Sequence, residues 1–205
     1  MSEPYIHPTA LVETNIIGED TKIWAFTHIM KNVPIGANCN IGDNCFIETG
    51  AVVGNNVTIK NGNMLFEGIT LEDGVFVGPH VFFTNDRFPR SARLPEASMR
   101  YTDHNWFAPT TIKYGATLGA ASVVLPGITI GEFAMVGAGT IVTKNVTAHA
   151  LVIGNPSRCV GWVCECGTKL EFNATEQATC EACGKSFQRH GDRINLIEYL
   201  KYSQS

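Results

Sequence analysis

Three polar residues that could do chemistry, Glu67, Asn85 and Asp86, stand in a chain that is otherwise a regular series of aliphatic residues. Glu67 lies in "MLFEGIT", and the other two lie in the later stretch "FFTNDRFPR". A carboxylate can accept a proton or hold a cation, with its pKa set by burial. An amide does not titrate, but its oxygen can accept a hydrogen bond and orient a bound group. Together the three side chains could hold and orient an amine.

Four cysteines towards the C-terminal end are spaced as metal ligands. Cys164-x-Cys166-Gly and Cys180-x2-Cys183-Gly form two Gly-bounded turns joined by a short hairpin-like segment. Four thiolates from two such turns suit tetrahedral zinc, although the first turn is C-x-C and not the commoner C-x2-C. We therefore predict a structural zinc site in a ribbon-like segment over residues 160–205, with Cys159 as a fifth candidate ligand. The alternative is a ribbon that has lost its metal and kept its turns.

The elements that must position these residues are indicated by a period of six. From Ile17 to Phe83 every sixth residue is aliphatic or aromatic, and the residue four places after each is mostly small or β-branched, with Asn63 as the exception. The period returns at Trp106 and continues to Val142. An α-helix repeats its apolar stripe at about 3.6 residues, so a fixed hexad with Gly and Asn at the turns excludes helices. The sequence predicts an all-β fold, a parallel β-helix of hexapeptide repeats over residues 1–159.

Stacking of the coils predicts which side chains meet. Three hexads make one triangular coil, so residues three hexads apart should lie above one another, with coils about 4.8 Å apart. One edge should then carry Lys31, Thr49, Glu67 and Asn85. A second edge, of small residues that would let a thin ligand approach the backbone, should carry Ala120, Ala138 and Pro156. If the repeat resumes on the next face at Trp106, both edges lie at one corner.

Residues 84–105 are predicted to leave the β-helix as an extruded loop. This segment has no period and contains two prolines and four arginines. A long excursion from a rigid scaffold commonly serves as a binding loop or a lid. Its arginines, which could pair with phosphates, are Arg87, Arg90, Arg93 and Arg100. Neighbouring acids nearly balance their charge.

Composition excludes several classes of function. The chain has 205 residues, of which 44% are hydrophobic, and a net charge of −4, which argues against a nucleic-acid partner. No apolar run approaches the roughly 18 residues that span a membrane. The first residues show no signal peptide, so we expect a cytoplasmic protein whose cysteines are thiols or metal ligands.

Three longer stretches resemble a known family. "FEGITLEDGVFVGPHVFFTNDRFPR", "GATLGAASVVLPGITIGEFAMVGAGTIVTKNV" and "VIGNPSR" are similar to nucleotide-sugar N-acetyltransferases of the left-handed β-helix superfamily, over roughly residues 5–160. The most similar branch acetylates the 3-amino group of sugars such as UDP-2-acetamido-3-amino-2,3-dideoxyglucuronate or dTDP-3-amino-3,6-dideoxyhexoses. The resemblance implies a left-handed coil and a homotrimer with active sites in the clefts between subunits. It also implies a role in the synthesis of surface polysaccharides or glycans such as lipopolysaccharide.

The resemblance also implies a set of ligand-binding residues. The acceptor amine would be held by Glu67, Asn85 and Asp86, with His80, Arg87 and Arg90 as further substrate-binding candidates. Acetyl-CoA would be the donor. Its candidate binding residues are Ala120, Ala138, Lys144, Asn155, Pro156 and Arg158, with the two basic residues placed to meet its phosphates. A thioester is reactive enough that positioning could supply much of the rate, so a dedicated base is not required.

Two other functions stay open at this point. An O-acetyltransferase would need a histidine base to deprotonate a hydroxyl, and His80, in a turn close to Asn85 in the sequence, is the candidate. A non-catalytic β-helix used as an assembly module would need neither Glu67 and Asn85 nor the loop. Beyond the ribbon, Ile194, Ile197 and Tyr199–Leu200 suggest an amphipathic tail, for which a helix packed on a neighbour is one possibility.

Overall fold

The computed structural model describes residues 2–199, apart from the side chains of His104, Glu198 and Tyr199. The strands, in chain order, are β1 Tyr5–Ile6, β2 Leu11–Val12, β3 Lys22–Ile23, β4 His28–Ile29, β5 Asn40–Ile41, β6 Phe46–Ile47, β7 Val52–Val53, β8 Thr58–Ile59, β9 Met64–Leu65, β10 Ile69–Leu71, β11 Phe76–Val77, β12 Phe82–Phe83, β13 Thr110–Ile112, β14 Thr117–Leu118, β15 Val123–Val124, β16 Thr129–Ile130, β17 Met135–Val136, β18 Ile141–Val142, β19 Ala150–Ile153, β20 Arg158–Val163, β21 Lys169–Leu170, β22 Gln177–Thr179, β23 Lys185–His190 and β24 Arg193–Tyr199. The helices are α1 Pro95–Ser98 and the 3-10 turns Met99–Tyr101 and His104–Trp106. No helix in the described part of the chain is both long and apolar enough to cross a membrane.

Short parallel strands form the three faces of a β-helix. The first face contains β1, β3, β5, β8, β11, β14, β17 and β19, the second contains β2, β4, β6, β9, β12, β15 and β18, and the third contains β7, β10, β13 and β16. Before β7 the third face continues as bridges that join Ile17 to Ile35 and Ile35 to Val53. Neighbouring coils pair at the predicted spacing of three hexads, as Ile41 does with Ile59. The all-β fold of hexapeptide coils that the repeat predicts is therefore confirmed.

The core is the column of residues that the hexads repeat. From Ile23 to Phe83 every sixth residue is buried, and so are the small or β-branched positions that lie between them. The exceptional Asn63 is buried as well, because its amide nitrogen donates to the carbonyl of Gly78 and its oxygen accepts from the N–H of Val81, both at 2.9 Å. An unpaired buried amide would cost about 1–3 kcal/mol, so these bonds explain how a polar residue occupies a core position.

A long excursion interrupts the stack after β12. A regular coil would pair Phe83 with Tyr101, but Phe83 pairs with Val124, and the helical turns lie in the inserted segment. Trp106 belongs to the second 3-10 turn, where its ring lies 5.7 Å from that of Tyr101. It is not a core residue, so the prediction that the repeat resumes there is wrong. The repeat resumes at Ile112, which is fully buried in β13.

The last coil is shorter than the others. A regular coil would pair Val136 with Gly154, but Val136 pairs with Val152. As a result Gly154, and not Pro156, lies above Ala138. The prediction that Pro156 continues the small-residue edge is wrong, because the turn after β18 is shorter than its counterparts and already brings Val146 above Ile130.

The C-terminal segment is a small antiparallel unit that shares the core of the β-helix. Strand β20 turns back against β19 and is followed by β21, while β22, β23 and β24 form a separate sheet. Trp162 and Phe187 of this unit belong to the same buried cluster as the hexad residues. The helical tail considered from the sequence is wrong, since Arg193–Tyr199 is strand β24. Leu200, which completed that pattern, lies outside the described residues.

Candidate active site

The predicted polar edge exists at the corner between the second and third faces. We call it the Asn85 edge, and its residues are Lys31, Thr49, Glu67, Asn85, Pro126 and Lys144. Two side chains join its coils: Thr49 Oγ1 donates to the carbonyl of Lys31 at 2.8 Å, and Asn85 Nδ2 donates to the carbonyl of Glu67 at 3.2 Å. The stacking of Glu67 below Asn85 is thus as the hexad count predicts. Lys144 lies on the same edge, two coils beyond Asn85.

The Asn85 side chain hydrogen-bonds to the main chain of Glu67. The Glu67 side chain lies across Gly50, in the preceding coil, where a Cβ would stand 2.8 Å from Glu67 Cγ. Gly50 also has φ +90°, a conformation that glycine adopts readily. Within the described residues no donor bonds to Asn85 Oδ1, so this half-buried amide keeps a free acceptor. An amine bound at this corner could donate to it.

A residue that the sequence did not indicate, Glu48, supports this arrangement. Its carboxylate accepts the main-chain N–H of Glu67 at 2.9 Å. The main chain of Glu67 is therefore held at its N–H by Glu48 and at its carbonyl by Asn85 Nδ2. The member of the stacked column below Glu67 is Thr49, and Glu48 stands beside that column, which is why the stacking rule did not identify it.

Asp86 is bound within the loop. Its carboxylate forms an ion pair with Arg100 and accepts hydrogen bonds from the Tyr101 hydroxyl at 2.9 Å and the Phe88 N–H at 2.8 Å. The Arg100 guanidinium, opposed by burial and assisted by the Phe88 and Tyr101 bonds, holds the pKa of Asp86 below its usual value. Arg100, one of the possible phosphate ligands, is therefore occupied by a carboxylate of its own loop.

A cleft of about 700 Å³ lies between the start of the loop and the next two coils. Arg87 and Lys144 give its lining two cations, and Leu125, Pro126 and Ile128 give it an apolar wall. The Arg87 guanidinium lies against Gly127, where a Cβ would displace it. Arg90 is not part of this lining, since its side chain donates to the carbonyl of Pro89.

The small-residue edge lies at a different corner from Asn85. Ala120 and Ala138 stand between the first and second faces, above Pro79, and the carbonyl of Ala120 accepts the N–H of Gly139. The prediction that this edge shares the Asn85 corner is wrong, because it assumed that the repeat resumes at Trp106. His80 is at the Ala120 corner too, exposed, with its ring against Gly62. A single chain does not bring His80 to the Asn85 edge.

Two of the remaining candidates for binding acetyl-CoA meet in a second cleft, of about 280 Å³, beside the first. Lys144 and Arg158 both line it, together with Trp162 and Cys159. Arg158 Nη1 donates to the carbonyl of Ser157 at 3.0 Å. Asn155 and Pro156 lie in the exposed turn before β20, joined by a cis peptide bond. Lys144 thus stands between the two clefts.

The four predicted metal ligands converge. The Sγ atoms of Cys164, Cys166, Cys180 and Cys183 all lie within 4.8 Å of one another, with 3.4 Å between Cys164 and Cys183 and 3.5 Å between Cys166 and Cys180. A tetrahedron of Zn–S bonds of ~2.3 Å needs sulfurs about 3.8 Å apart, so this set fits zinc. Burial opposes ionisation of Cys166, but its hydrogen bonds with Thr168 lower the pKa of this thiol to about 6.

The other three cysteines are not part of this cluster. Cys39 and Cys45 are buried in the β-helix core, as predicted. Cys159 is exposed and donates to the carbonyl of Gly161 at 3.4 Å, so it is not a fifth ligand.

Comparison with known proteins identifies relatives. The model described as "Bacterial transferase hexapeptide (six repeats)" matches residues 16–49, and the model "Hexapeptide repeat of succinyl-transferase" matches residues 109–144. The chain is 51% identical, over 90% of its length and 90% of the relative's, to a dTDP-3-amino-3,6-dideoxy-alpha-D-galactopyranose 3-N-acetyltransferase of Aneurinibacillus thermoaerophilus.

Solved structures share the fold. The acetyltransferase domain of PglB from Neisseria gonorrhoeae aligns with a TM-score of 0.53 and 16% identity, over 77% of this chain and 57% of that one. AntD, an N-acyltransferase from Bacillus cereus in complex with dTDP and 3-hydroxybutyryl-CoA, aligns with a TM-score of 0.50 and 18% identity, over 78% and 80% of the two chains.

Proposed function

Since the chain belongs to the hexapeptide-repeat nucleotide-sugar N-acetyltransferases, we propose that it transfers acetyl from acetyl-CoA to the C3 amine of a dTDP-linked 3-amino-3,6-dideoxyhexose. The observation that carries this proposal is the 51% identity over 90% of both chains with an enzyme named for that reaction. The choice of dTDP over UDP rests on the same relative.

The free oxygen of Asn85 suits the acceptor amine. The amine nitrogen attacks the thioester carbonyl, a C–N bond forms, the C–S bond breaks, and the proton lost by nitrogen ends on the sulfur of CoA. Asn85 Oδ1 accepts one N–H of the amine and so directs its lone pair at the carbonyl carbon. Glu67, whose main-chain N–H is held by Glu48, contributes through its main-chain carbonyl, which orients the Asn85 amide.

The two clefts suit the phosphorylated parts of the substrates. Arg87 lies next to Asp86 in the chain and lines the larger cleft, which fits the pyrophosphate of a nucleotide sugar. Lys144 and Arg158 line the smaller cleft and fit the phosphates of CoA. Arg90 would join only when a ligand draws its side chain from the Pro89 carbonyl.

A homotrimer would unite residues that one chain keeps apart. Ala120, Ala138 and His80 lie at one end of the second face, and Asn85 lies at the other end. The outward side chains of that face form a largely apolar stripe: Leu11, His28, Phe46, Met64, Phe82, Val123 and Ile141. Phe82 is 58% exposed in the single chain, and Phe88 in the loop is 73% exposed. Packing this stripe on neighbours would bring the Ala120 corner of one chain to the Asn85 edge of the next.

The cysteine cluster would hold one structural zinc ion. Bound zinc would join the turn after β20 to the turn before β23 and so fix the small C-terminal unit. It takes no part in acetyl transfer. None of the seven cysteines forms a disulfide bond, which suits the reducing cytoplasm in which we propose that the protein acts.

A panel of acceptors tests the proposed function. CoA release should be measured with dTDP-3-amino-3,6-dideoxygalactose, its gluco epimer, its UDP counterpart, a dTDP-4-amino sugar and a dTDP-3-hydroxy sugar. We expect the highest kcat/KM with a dTDP-3-amino sugar and no turnover of the hydroxyl compound. Equal rates on the hydroxyl compound, abolished by His80→Ala, would indicate O-acetylation instead.

A further inference from the structure

An ion pair helps to close the loop that follows Asn85. The carboxylate of Asp86, only 11% exposed, faces the guanidinium of Arg100, which is 31% exposed. The same guanidinium donates to the carbonyl of Trp106 at 3.3 Å. Asp86 lies where the chain leaves the β-helix and bridges to Phe107, where the chain returns. Arg100 therefore ties the two ends of the excursion together.

The acceptor capacity of the Asp86 carboxylate is already used. Oδ1 accepts from Arg100 Nη2 and from the Phe88 N–H, and Oδ2 accepts from Arg100 Nη1 at 3.0 Å and from the Tyr101 hydroxyl at 2.9 Å. A carboxylate has about four lone-pair sites, and these four donors face them. The single Tyr101 hydroxyl proton is shared with the Arg90 carbonyl, also at 2.9 Å. To accept a proton or hold an ammonium, Asp86 would have to give up one of these bonds. Sequence reasoning gave Asp86 a catalytic role, and this geometry points elsewhere.

The ion pair fixes the residues on both sides of Asp86. The carbonyl of Asn85 accepts the N–H of Ala108 at 2.8 Å, which holds the Asn85 backbone against the returning strand. Arg87, the next residue, has its guanidinium against Gly127 in the cleft. If the pair were broken, the backbone that aims both side chains would lose one of its anchors and keep only the main-chain bonds to Phe107 and Ala108.

We propose that Asp86 and Arg100 are positioning residues, which form a clamp that holds Asn85 and Arg87 in place, and that Asp86 takes no proton during acetyl transfer. This inference rests on the proposed function, since it assigns the clamp to the amino-sugar side of that site. A positioning pair acts as one unit, so loss of either member should have the same effect as loss of both. A base would act alone and would titrate.

The test compares Asp86→Asn, Arg100→Met and the double variant with wild type, and uses Glu96→Gln as the control that removes an exposed carboxylate from the same loop. We expect each single variant to lower kcat/KM for the amino sugar by about 10- to 100-fold. The double variant should be no worse than the poorer single variant. The pH–rate profile of Asp86→Asn should keep its acid limb, and Glu96→Gln should behave as wild type.

Hydrogen exchange supplies a readout that does not need turnover. The Ala108 amide, which bonds to the Asn85 carbonyl, should exchange faster in both single variants and at the wild-type rate in Glu96→Gln. If wild type acetylates no amino sugar, the proposed function fails, and the exchange rates still decide whether the clamp exists. The inference is overturned if Asp86→Asn loses more than about 1,000-fold in kcat together with the acid limb while Arg100→Met keeps near-normal activity. Unchanged Ala108 exchange in both variants would overturn it as well.

Discussion

Replacing Asn85 by alanine separates the chemical role of this residue from its structural role. The substitution removes the free Oδ1, which we assign to the acceptor amine, and the Nδ2 bond to the Glu67 carbonyl. A hydrogen bond to a charged or developing-charge group is worth about 1.5–3 kcal/mol, so kcat/KM for the amino sugar should fall roughly 10- to 200-fold. The structural bond is partly exposed and worth about 0.5–1.5 kcal/mol. Since 1 kcal/mol shifts Tm by about 2–4 °C in a chain of this size, Tm should fall by no more than about 6 °C.

Thr49→Ala is the matched control. Thr49 stands on the same edge and makes the same kind of bond, from its side chain to the carbonyl of Lys31 one coil below. It should lower Tm by a similar amount and leave kcat/KM unchanged. Steady-state kinetics with each substrate varied in turn, and thermal unfolding, give the comparison. The reasoning is refuted if Asn85→Ala keeps full turnover, or if it raises only the KM for acetyl-CoA.

Four shorter predictions follow from the rest of the structure. Metal analysis should find one zinc per chain, and Cys180→Ser should abolish it and speed proteolysis of the C-terminal unit; less than about half an equivalent in wild type would contradict this. Phe82→Glu should convert a trimer into monomers by sedimentation and abolish turnover, and an active wild-type monomer at micromolar concentration would refute the assembly. Lys144→Ala should raise the KM for acetyl-CoA about tenfold with little change in the KM for the sugar. A higher KM for the sugar alone would assign Lys144 to the larger cleft, with the nucleotide sugar. Because Arg100 lowers the pKa of Asp86 in the folded chain, the clamp should protect the loop from proteolysis above about pH 4, and that protection should be lost as pH falls through the lowered pKa. Protection in Asp86→Asn equal to that of wild type at neutral pH would show that the charge of Asp86 is not needed.

The periodic part of the fold could be read from the sequence because its contacts are local in the repeat. Each hexad residue meets the residue three hexads away, so the burial of Ile41 and Ile59 and the stacking of Glu67 below Asn85 follow from counting. The four cysteines could be placed for a different reason, since their spacing within two Gly-bounded turns points all four thiols to one site. Counting fails where the coil length changes. The last coil is shorter than the others, so Pro156 does not lie above Ala138 as the count of 18 predicts.

The rest of the candidate site depends on contacts that have no period. Asp86 and Arg100 meet across the aperiodic loop, and nothing in their spacing distinguishes this pair from the other acids and arginines nearby. Trp106 stands six residues before Ile112 and so fits the later count, although tertiary packing places it in a 3-10 turn. Glu48 accepts the main-chain N–H of Glu67. Every residue except proline has such an N–H, so the residue types do not indicate this contact.

The most direct test of the central claim is the structure of the product. Purified protein should be incubated with acetyl-CoA and dTDP-3-amino-3,6-dideoxygalactose, and the product should be examined by mass spectrometry and NMR. Our account predicts one added acetyl group per sugar, in amide linkage at C3, with one equivalent of free CoA. An acetyl ester at a hydroxyl, or no product under conditions in which the protein is folded and trimeric, would contradict it.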